Sequence, residues 1–338
     1  MRLYGGIDLH SNNSVVVIQD EEDRRLFEKR LRNDLPTILG ALAPFASELE
    51  GIVVESTYNW YWLVDGLMEA GYRVHLAHTT AIQTYSGLKH GDDVTDAGWL
   101  AHLLRLGLLA EGYIYPKAER GLRDLLRKRG QLVRQRTTQL LSIQNQVLRA
   151  TAQRLSGSRI KQLTVDEVEA LLPEADVALA AESNLVVMDC LAEQIRRLER
   201  AVRRRVRPRP ELTRLCTVDG IGPILAWTIL LEVGDIGRFG RVGQFASYCR
   251  CVNARRLTNG KKKGENNGKN GNRYLAWAFV EAAHFAVRYN PKIQRYYQRK
   301  QAKKNGAVAT KAVAHKLARA CYYILRDDVP FDVDRAFS

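Results

Sequence analysis

Residues 3–20, LYGGIDLHSNNSVVVIQD, read as two β-strands joined by a polar turn, and they decide the fold class. Both strands are short, apolar and rich in β-branched residues, as buried strands are. The next elements that the pattern predicts are a strand-like run at 24–31, a helix at 35–45, a buried strand at 51–55, a helix at 60–70, a strand at 72–77 and a helix at 95–109. Three strands followed by alternating helix and strand predict a mixed α/β layer.

The rest of the chain is predicted to be mostly helical. Leucine and valine recur at helical spacing through residues 116–205, with a break near 155–161, which predicts a long helix or a coiled-coil pair. Arg207–Pro210 reads as a stiff linker. We therefore expect an α/β domain at 1–115, a helical coiled-coil arm at 116–206 and a mostly α-helical domain at 211–338, whose segment 258–272 is a flexible Gly/Asn/Lys-rich loop.

Length and composition exclude several classes of protein. The chain has 338 residues, of which 46% are hydrophobic and 26% charged, as in a globular protein of two or three domains. No apolar run approaches the roughly 18 residues of a membrane span, and the first residues lack a secretory-signal pattern. The five cysteines, an odd number at irregular spacing, predict no disulfide scaffold and fit a reducing cytoplasm. No glycine-rich fingerprint of a dehydrogenase or P-loop enzyme follows a strand.

Charge is distributed very unevenly along the chain. Residues 1–116 hold 9 Lys and Arg against 16 Asp and Glu, whereas residues 117–338 carry a net charge of +22. An acidic first third suggests cation binding, and a strongly basic remainder suggests a polyanion, of which nucleic acid is the usual one. The positive charge is concentrated in four runs, at residues 117–155, 196–214, 250–273 and 288–304. The alternative interpretation is a set of solvated helix faces, which is common for a single charge run but less so for four.

Four carboxylates are placed for metal chemistry. Asp8 lies near the end of the first strand and Glu55 ends a later one, while Asp93 and Asp96 share one face at the start of a helix. Four hard oxygen donors at one edge of an α/β layer can hold one or two Mg²⁺ ions, which stabilise the attacking and leaving oxygens of a phosphodiester. Each has a structural alternative: Asp8 can orient the following turn, and Asp93 can cap its helix.

Two further patterns lie in the last third. Thr217–Pro223, TVDGIGP, is a glycine turn before a helix and resembles a helix–hairpin–helix, which points backbone N–H groups at a phosphate; a plain helix connection is equally compatible. Thr258 is a single hydroxyl within the basic loop and is by residue type a candidate nucleophile. Ser247, in an apolar run, is expected to be packed. The candidate nucleic-acid contacts are Arg203, Arg204, Arg205, Arg255, Arg256, Lys261, Lys262, Lys263, Lys269, Arg273, Arg295 and Arg299.

The last two of these contacts alternate with tyrosines. Tyr289, Tyr296 and Tyr297 interleave with Arg295 and Arg299, which suggests a surface that stacks on looped or single-stranded RNA. A helix whose tyrosines face the core is the alternative.

The ordered set Asp8, Glu55 and Asp93-x-x-Asp96-Ala97, followed by GIGP and by KNGNRYLAWAFVEAA at 269–283, resembles the DEDD transposases of the insertion sequence 110 family, which are related to the Piv-type DNA invertases. The resemblance spans essentially the whole chain. It implies an RNase H/RuvC-like domain, a coiled-coil arm and a transposase domain.

The resemblance also implies a function. Members of the family are recombinases guided by a structured bridge RNA that pairs with donor and target DNA. The likeness implies a Mg²⁺ site formed by Asp8, Glu55, Asp93 and Asp96, and a hydroxyl in the glycine-rich loop that attacks the phosphodiester and holds DNA covalently. It implies homodimers or homotetramers in which one subunit's acidic site is completed by another's hydroxyl loop, acting in the bacterial cytoplasm at the nucleoid.

The sequence departs from the family at the expected nucleophile. Where the family commonly has Ser-Asn-Gly, this chain has Thr258-Asn259-Gly260, and the extra methyl restricts χ1. A working threonine nucleophile, an enzyme with impaired catalysis, a deliberately altered sequence and a nucleic-acid-binding remnant all remain open. A RuvC-like nuclease that uses water, and does not need Thr258, is the other alternative.

Overall fold

A computed structural model describes residues 1–78, 91–206, 209–252, 255–265 and 270–338. The contacts divide the chain into two compact units, Met1–Lys117 and Ala118–Ser338. The predicted order, a mixed α/β layer followed by a mostly helical region, is confirmed. The three-domain division stays a prediction.

The first unit is built on a six-stranded mixed sheet in the order β3-β2-β1-β4-β5-β6. Its strands are β1 (Leu3–Leu9), β2 (Asn13–Gln19), β3 (Arg25–Arg32), β4 (Leu49–Glu55), β5 (Val74–Ala77) and β6 (Glu111–Gly112). The first three are antiparallel, β4 and β5 run parallel to β1, and β6 is antiparallel to β5. This order is consistent with the RNase H-like arrangement that the resemblance implies. The short β6 was not predicted.

Helices cover both faces of this sheet, which is why its central strands are apolar throughout. On one face, α1 (Leu35–Leu42) and α2 (Tyr61–Glu69) bury Ile7, Ile52 and their neighbours. On the other lies α3 (Asp93–Arg105), where Ala97 packs on Val15 and Val17. The predicted start at Thr95 is two residues late, because Asp92 caps the helix by accepting a hydrogen bond from the Thr95 N–H at 2.6 Å. The Asp92 carboxylate, rather than that of Asp93, is therefore the cap.

The second unit begins with a long antiparallel helix pair. The elements here are α4 (Lys117–Thr151), α5 (Gly157–Ile160), α6 (Val165–Leu171) and α7 (Ala175–Arg205). Ile143 and Val147 of α4 pack against Ala181 and Leu185 of α7, and Arg129 of α4 donates to a Glu199 oxygen of α7 at 2.8 Å. The predicted break near 155–161 contains α5. The supercoil of a coiled coil stays a prediction.

The remaining helices form one apolar core. They are α8 (Pro210–Leu215), α9 (Pro223–Val233), α10 (Val242–Tyr248), α11 (Arg273–Tyr289), α12 (Pro291–Lys303), α13 (Gly306–Asp327) and α14 (Val333–Phe337). Ile229, Phe245, Phe279 and Leu317 are fully buried in this core. No described helix has the length and apolar character that a membrane span requires.

The expectation of a flexible loop at 258–272 is wrong for its described first part. Strands β7 (Arg255–Thr258) and β8 (Lys261–Glu265) form an antiparallel hairpin, in which Thr258 pairs with Lys261. Asn259 and Gly260 both have positive φ, 49° and 72°, as a two-residue type I′ turn requires. An Asn-Gly pair supplies that geometry at low cost, so the segment closes into strands despite its charge.

Candidate active site

Strand register brings the first carboxylate to the face that α3 covers. Gly6 lies so close to α3 that an added Cβ would stand 1.9 Å from the Ala97 carbonyl oxygen. Asp8, two residues further along β1, shares this face because side chains alternate along a strand. The Asp8 side chain is buried, with only 3% of its surface exposed. Close packing at Gly6 thus sets the distance between the sheet and the helix that carries Asp93.

The first turn of α3 adds a second carboxylate to Asp8, and a histidine joins them. Ligand atoms of Asp8, His10 and Asp93 all lie within 4.8 Å of one another. The Nε2 of His10 is 3.2 Å from an Asp8 oxygen and 3.4 Å from an Asp93 oxygen. That nitrogen is buried and makes no hydrogen bond of ordinary geometry. It therefore lies between two carboxylates in the position of a shared cationic or coordinating group.

Arg30 also reaches this group of side chains. In the sheet, Asp8 pairs with Val15 and Val15 pairs with Arg30, so Asp8 and Arg30 stand in one row on one face. The Arg30 Nη2 lies 2.5 Å from the Asp93 Oδ2. This hydrogen bond, followed by the charge of His10, lowers the pKa of Asp93 below its ordinary value. The Asp93 carboxylate consequently stays ionised into more acidic solution than an isolated one.

The other two predicted carboxylates stand next to this group. The parallel register pairs Ile7 with Val54, which makes Asp8 and Glu55 the next residues on their strands. Val53 packs against Leu100 of α3, so Glu55, two residues on, lies on the same face as Asp8. Asp96 follows Asp93 by three residues, within the first turn of α3. The cluster of mutually close ligand atoms, in the part of the chain that the structure describes, contains neither Glu55 nor Asp96.

The donor set fits a divalent cation. Two carboxylates offer hard oxygen ligands suited to Mg²⁺ or Mn²⁺, and an imidazole nitrogen extends the choice toward transition metals. The main chain at the histidine is fixed, because Asn33 and Asn59 both donate hydrogen bonds to the His10 carbonyl oxygen, at 2.9 and 3.0 Å. Sequence reasoning missed His10 and Arg30. His10 was detectable, since it follows Asp8 by two residues and so shares its face, whereas Arg30 required the register of three strands.

In the second unit, Thr258 is an exposed side chain that ends β7 beside the type I′ turn. Its cross-strand partner Lys261 and the nearby Lys263 are also exposed. Ser247, which we expected to be packed, is exposed at the end of α10, because the apolar side of that short helix is carried by Phe245 and Ala246. The Ser247 hydroxyl is therefore accessible.

The remaining candidate contacts fall into three groups. Arg203, Arg204 and Arg205 are exposed in the last turn of α7, Arg273 is exposed at the start of α11, and Arg295 and Arg299 are exposed on α12. The structure describes the strand positions of Arg255, Arg256 and Lys262 but not their side chains, and Lys269 lies outside the described residues.

The three tyrosines on or near α12 differ in exposure: one is exposed, as stacking on RNA requires, and two pack against the core. Tyr289 is exposed, with 65% of its surface accessible, and its ring stacks on that of Phe285. Tyr296 instead packs edge-on against Phe337, and Tyr297 is also partly buried against the core. Of the three, only Tyr289 is exposed, and besides its stack on Phe285 it has the Arg288 guanidinium 5.4 Å from its ring centroid.

The TVDGIGP turn connects α8 to α9. Gly220 has a φ of +86°, and a Cβ there would stand 2.2 Å from the Ala282 carbonyl oxygen of α11. Gly222 precedes the first turn of α9, with Pro223 as its first residue. The conformation of Gly220 thus serves close packing of the turn on α11, and phosphate binding at the start of α9 stays a prediction.

Comparison with known families identifies the chain. A family model for DEDD transposases of the IS110 type, described as "Transposase", matches residues 5–153, and a model described as "Transposase IS116/IS110/IS902 family" matches residues 212–298. Together they cover more than two thirds of the sequence. The first match contains Asp8, Glu55, Asp93 and Asp96, and the second contains Thr258.

Two relatives carry names of the same kind. A "Probable family 20 transposase" from Pseudomonas aeruginosa is 25% identical over 276 residues, which are 78% of this chain and 80% of that protein. An "Insertion element IS110 uncharacterized 43.6 kDa protein" from Streptomyces coelicolor is 26% identical over 183 residues, which are 52% of this chain and 45% of that protein. With both of its matched regions assigned to one group of mobile-element enzymes, the chain belongs to the IS110 family of DEDD transposases and is a DNA transposase.

Proposed function

We propose that this transposase is an RNA-guided DNA recombinase that cuts and rejoins strands through a covalent threonine–phosphate intermediate. The observation that carries the proposal is the exposed Thr258 side chain, held beside a tight turn and among lysines, in a chain that also brings Asp8, His10 and Asp93 together. The structured bridge RNA, donor DNA and target DNA are the polyanions that the basic residues 117–338 bind in this proposal.

The threonine supplies the nucleophile. The Oγ1–phosphorus bond forms as the bond from phosphorus to the leaving deoxyribose oxygen of the DNA breaks; the hydroxyl proton passes to a base, and the leaving oxygen takes up a proton. In the second step the freed hydroxyl of another strand attacks the same phosphorus and gives its proton to a base, while the Oγ1–phosphorus bond breaks and the Thr258 oxygen takes up a proton. The energy of the phosphodiester is thereby retained, and no external cofactor is consumed.

The carboxylates hold the divalent ion. Asp8 and Asp93 would provide oxygen ligands, with Glu55 and Asp96 beside them and His10 between the first two. Such an ion, when bound, supplies stabilisation of the negative charge that develops on phosphate oxygens. Arg30 fixes the Asp93 carboxylate and keeps it ionised. Mg²⁺ is the ion we propose, because the four acidic side chains offer only oxygen.

The test is the formation of a protein–DNA adduct. The full chain, assembled with RNA transcribed from its native flanking DNA, is mixed with labelled cognate DNA and Mg²⁺ and run on a denaturing gel. We expect an adduct that Thr258→Ala and Asp8→Asn abolish and that Thr258→Ser retains. Ser247→Ala is the matched control, since it removes another exposed hydroxyl of the second unit and should leave the adduct unchanged.

Other outcomes select the alternatives. Free cleaved ends with Thr258→Ala would indicate a nuclease that uses water. An adduct only with Thr258→Ser would indicate an enzyme that the threonine has impaired. Binding without cleavage in every variant would indicate a nucleic-acid-binding remnant. Omission of the RNA tests separately whether the RNA guides the reaction. An undiminished adduct at the same DNA site would exclude guidance by RNA.

The same assay tests for sharing of sites between subunits in a dimer or tetramer. A mixture of the inactive Asp8→Asn and Thr258→Ala chains regains adduct formation if one subunit provides the carboxylates and another the hydroxyl. Continued inactivity of the mixture, with each chain still binding nucleic acid, would mean that each subunit works alone.

A further inference from the structure

The second unit contains a cavity that the proposed chemistry does not use. It measures about 310 Å³ and lies between α4, α9 and the first turns of α11. This volume is at the lower end of the range in which proteins hold small organic groups. Leu126, Val133 and Ile224 supply apolar wall, and the buried Thr228 adds a hydroxyl oxygen.

The charge of the cavity is positive because its one carboxylate is already neutralised. Glu232 is buried, accepts two hydrogen bonds from Arg127, at 2.6 and 2.7 Å, and accepts a third from the Asn272 amide at 2.7 Å. Burial would lower the pKa of Arg127, but these bonds and the charge of Glu232 outweigh it and raise that pKa. Arg134 and Arg273, at the rim, have no carboxylate partner among the described residues and stay available to an anion.

An aromatic wall stands beside these cations. Trp277 and Tyr274 are three residues apart, on one face of α11, and both line the cavity. The Arg127 guanidinium lies 4.6 Å from the Tyr274 ring centroid, which fixes that ring. Trp277 leaves 42% of its surface exposed, which is unusual for the largest apolar side chain and leaves its indole accessible to a ligand.

Gly130 leaves the cavity open beside Trp277. It lies on the cavity side of α4, and a Cβ built there would meet only the end of the Arg134 side chain, at 3.8 Å. A glycine in the middle of a 35-residue helix costs about 1 kcal/mol relative to alanine, so its presence weakens α4 without any close backbone contact in return. The open volume beside Trp277 is what the glycine contributes.

We propose that this cavity binds one unstacked nucleotide of a nucleic-acid strand. Its base stacks on Trp277 above the apolar floor, and its phosphate pairs with Arg134 and Arg273. Flat apolar surface, an indole and available guanidinium groups are together the chemistry that single-stranded or bulged nucleotides require. The inference rests on the proposed function only in taking nucleic acid as the ligand. RNA and DNA share this chemistry, and the experiment separates them.

The test uses 2-aminopurine, whose fluorescence falls when it stacks on an aromatic ring. The full chain is titrated with single-stranded RNA and DNA that carry one internal 2-aminopurine, and with the fully paired duplexes. We expect quenching by the native chain with a single strand, and little with a duplex, where the base stays in the helical stack. The stronger of the two single-strand signals identifies the natural ligand class.

Two variants disrupt the proposed site in different ways, and each has a matched control that leaves the site intact. Gly130→Leu fills the cavity, while Gly121→Leu makes the same change at an exposed position of α4 with nothing within 4 Å. Trp277→Leu removes the stacking ring, while Tyr58→Leu removes an exposed ring of the first unit. We expect single-strand affinity to fall roughly tenfold in the first of each pair, with loss of quenching, and to stay within about twofold in the controls.

The outcomes are distinguishable from those of the adduct assay. Equal affinity and equal quenching in Gly130→Leu and Gly121→Leu would overturn the inference, even with Thr258 shown to be the nucleophile. Lost quenching in Gly130→Leu and Trp277→Leu, with an unchanged thermal midpoint, would support the inference even if no adduct forms. Because leucine favours helix over glycine, Gly130→Leu is expected to fold.

Discussion

At the scale of single residues, Asp93 shows how neighbouring side chains fix the position and the ionised state of one carboxylate. One of its oxygens contacts both Arg30, at 2.5 Å, and His10, at 3.4 Å. A lone exposed carboxylate would be solvated and free to rotate. Here it has a fixed position and a lowered pKa, because the Arg30 hydrogen bond favours the ionised form. A divalent ion entering the site would therefore meet a carboxylate that is already ionised and oriented.

Gly6 is the residue that allows α3 to approach the sheet. We predict that Gly6→Ala destabilises the protein by about 1–3 kcal/mol, because its Cβ would lie 1.9 Å from the Ala97 carbonyl oxygen and α3 has to move. Displacement of α3 carries Asp93 away from Asp8, so Mg²⁺ affinity should fall as well. Urea unfolding and metal titration measure the two effects.

The control for this change is another glycine-to-alanine substitution in the same unit. Gly40 is exposed within α1, and a Cβ added there would have nothing within 4 Å, so Gly40→Ala should stabilise the protein by up to about 1 kcal/mol. Equal unfolding midpoints for the two variants would show that close packing at Gly6 is not required.

At the scale of elements, buried Glu232 connects three helices. Its carboxylate on α9 accepts from Arg127 of α4 and from Asn272, the residue that caps α11. The Asn272 side-chain oxygen accepts from the N–H groups of Tyr274 and Leu275. Asn272 also donates its own N–H to the Tyr248 carbonyl oxygen at 2.6 Å. The start of α11 is thereby fixed from two sides, a few residues after the hairpin that carries Thr258.

Loss of this carboxylate should be costly. We predict that Glu232→Ala lowers the free energy of unfolding by about 3–5 kcal/mol, because the largely buried Arg127 charge loses its two short hydrogen bonds and keeps only Asp124, at 3.7 Å. Glu69→Ala, which removes the partner of Lys117 from a pair whose two side chains are both exposed, should cost less than about 1 kcal/mol. Urea unfolding of both variants measures the difference, and similar losses would contradict the role given to Glu232.

At the scale of the whole molecule, charge is divided between the two parts of the chain. Residues 1–116 carry a balance of −7 and residues 117–338 a balance of +22. In our proposal, the carboxylates of the first part hold a cation, and the exposed arginines and lysines of the second part contact phosphate groups. Because each phosphate contact releases counterions, binding of nucleic acid should weaken steeply with salt.

The basic end of α7 provides a test of this division. Replacement of Arg203, Arg204 and Arg205 by Gln should reduce the slope of log affinity against log salt by up to about two units. The control replaces three cations of the acidic part, Arg2, Lys29 and Arg73, and should leave the slope unchanged. Fluorescence anisotropy across a salt series measures both. An equal reduction in the two triple variants would mean that only net charge matters.

Local pattern alone determined much of this protein. Buried apolar strands, helical leucine spacing and the order of Asp8, Glu55, Asp93 and Asp96 were sufficient for the mixed α/β layer, the helical remainder and the family. The Asn259-Gly260 turn is also local, yet its hairpin was missed. Turn residues of this kind indicate a hairpin most clearly between alternating apolar strands, and here the flanks are basic.

Tertiary structure decided which side chains meet. His10 and Arg30 join Asp8 and Asp93 only through the register of three strands and the approach of α3 at Gly6, and register depends on long-range pairing that one strand's sequence does not contain. The cavity beside Trp277 likewise exists because three helices distant in sequence leave a gap at Gly130. Composition and periodicity fix what a segment becomes, whereas contacts between segments fix the geometry in which chemistry takes place.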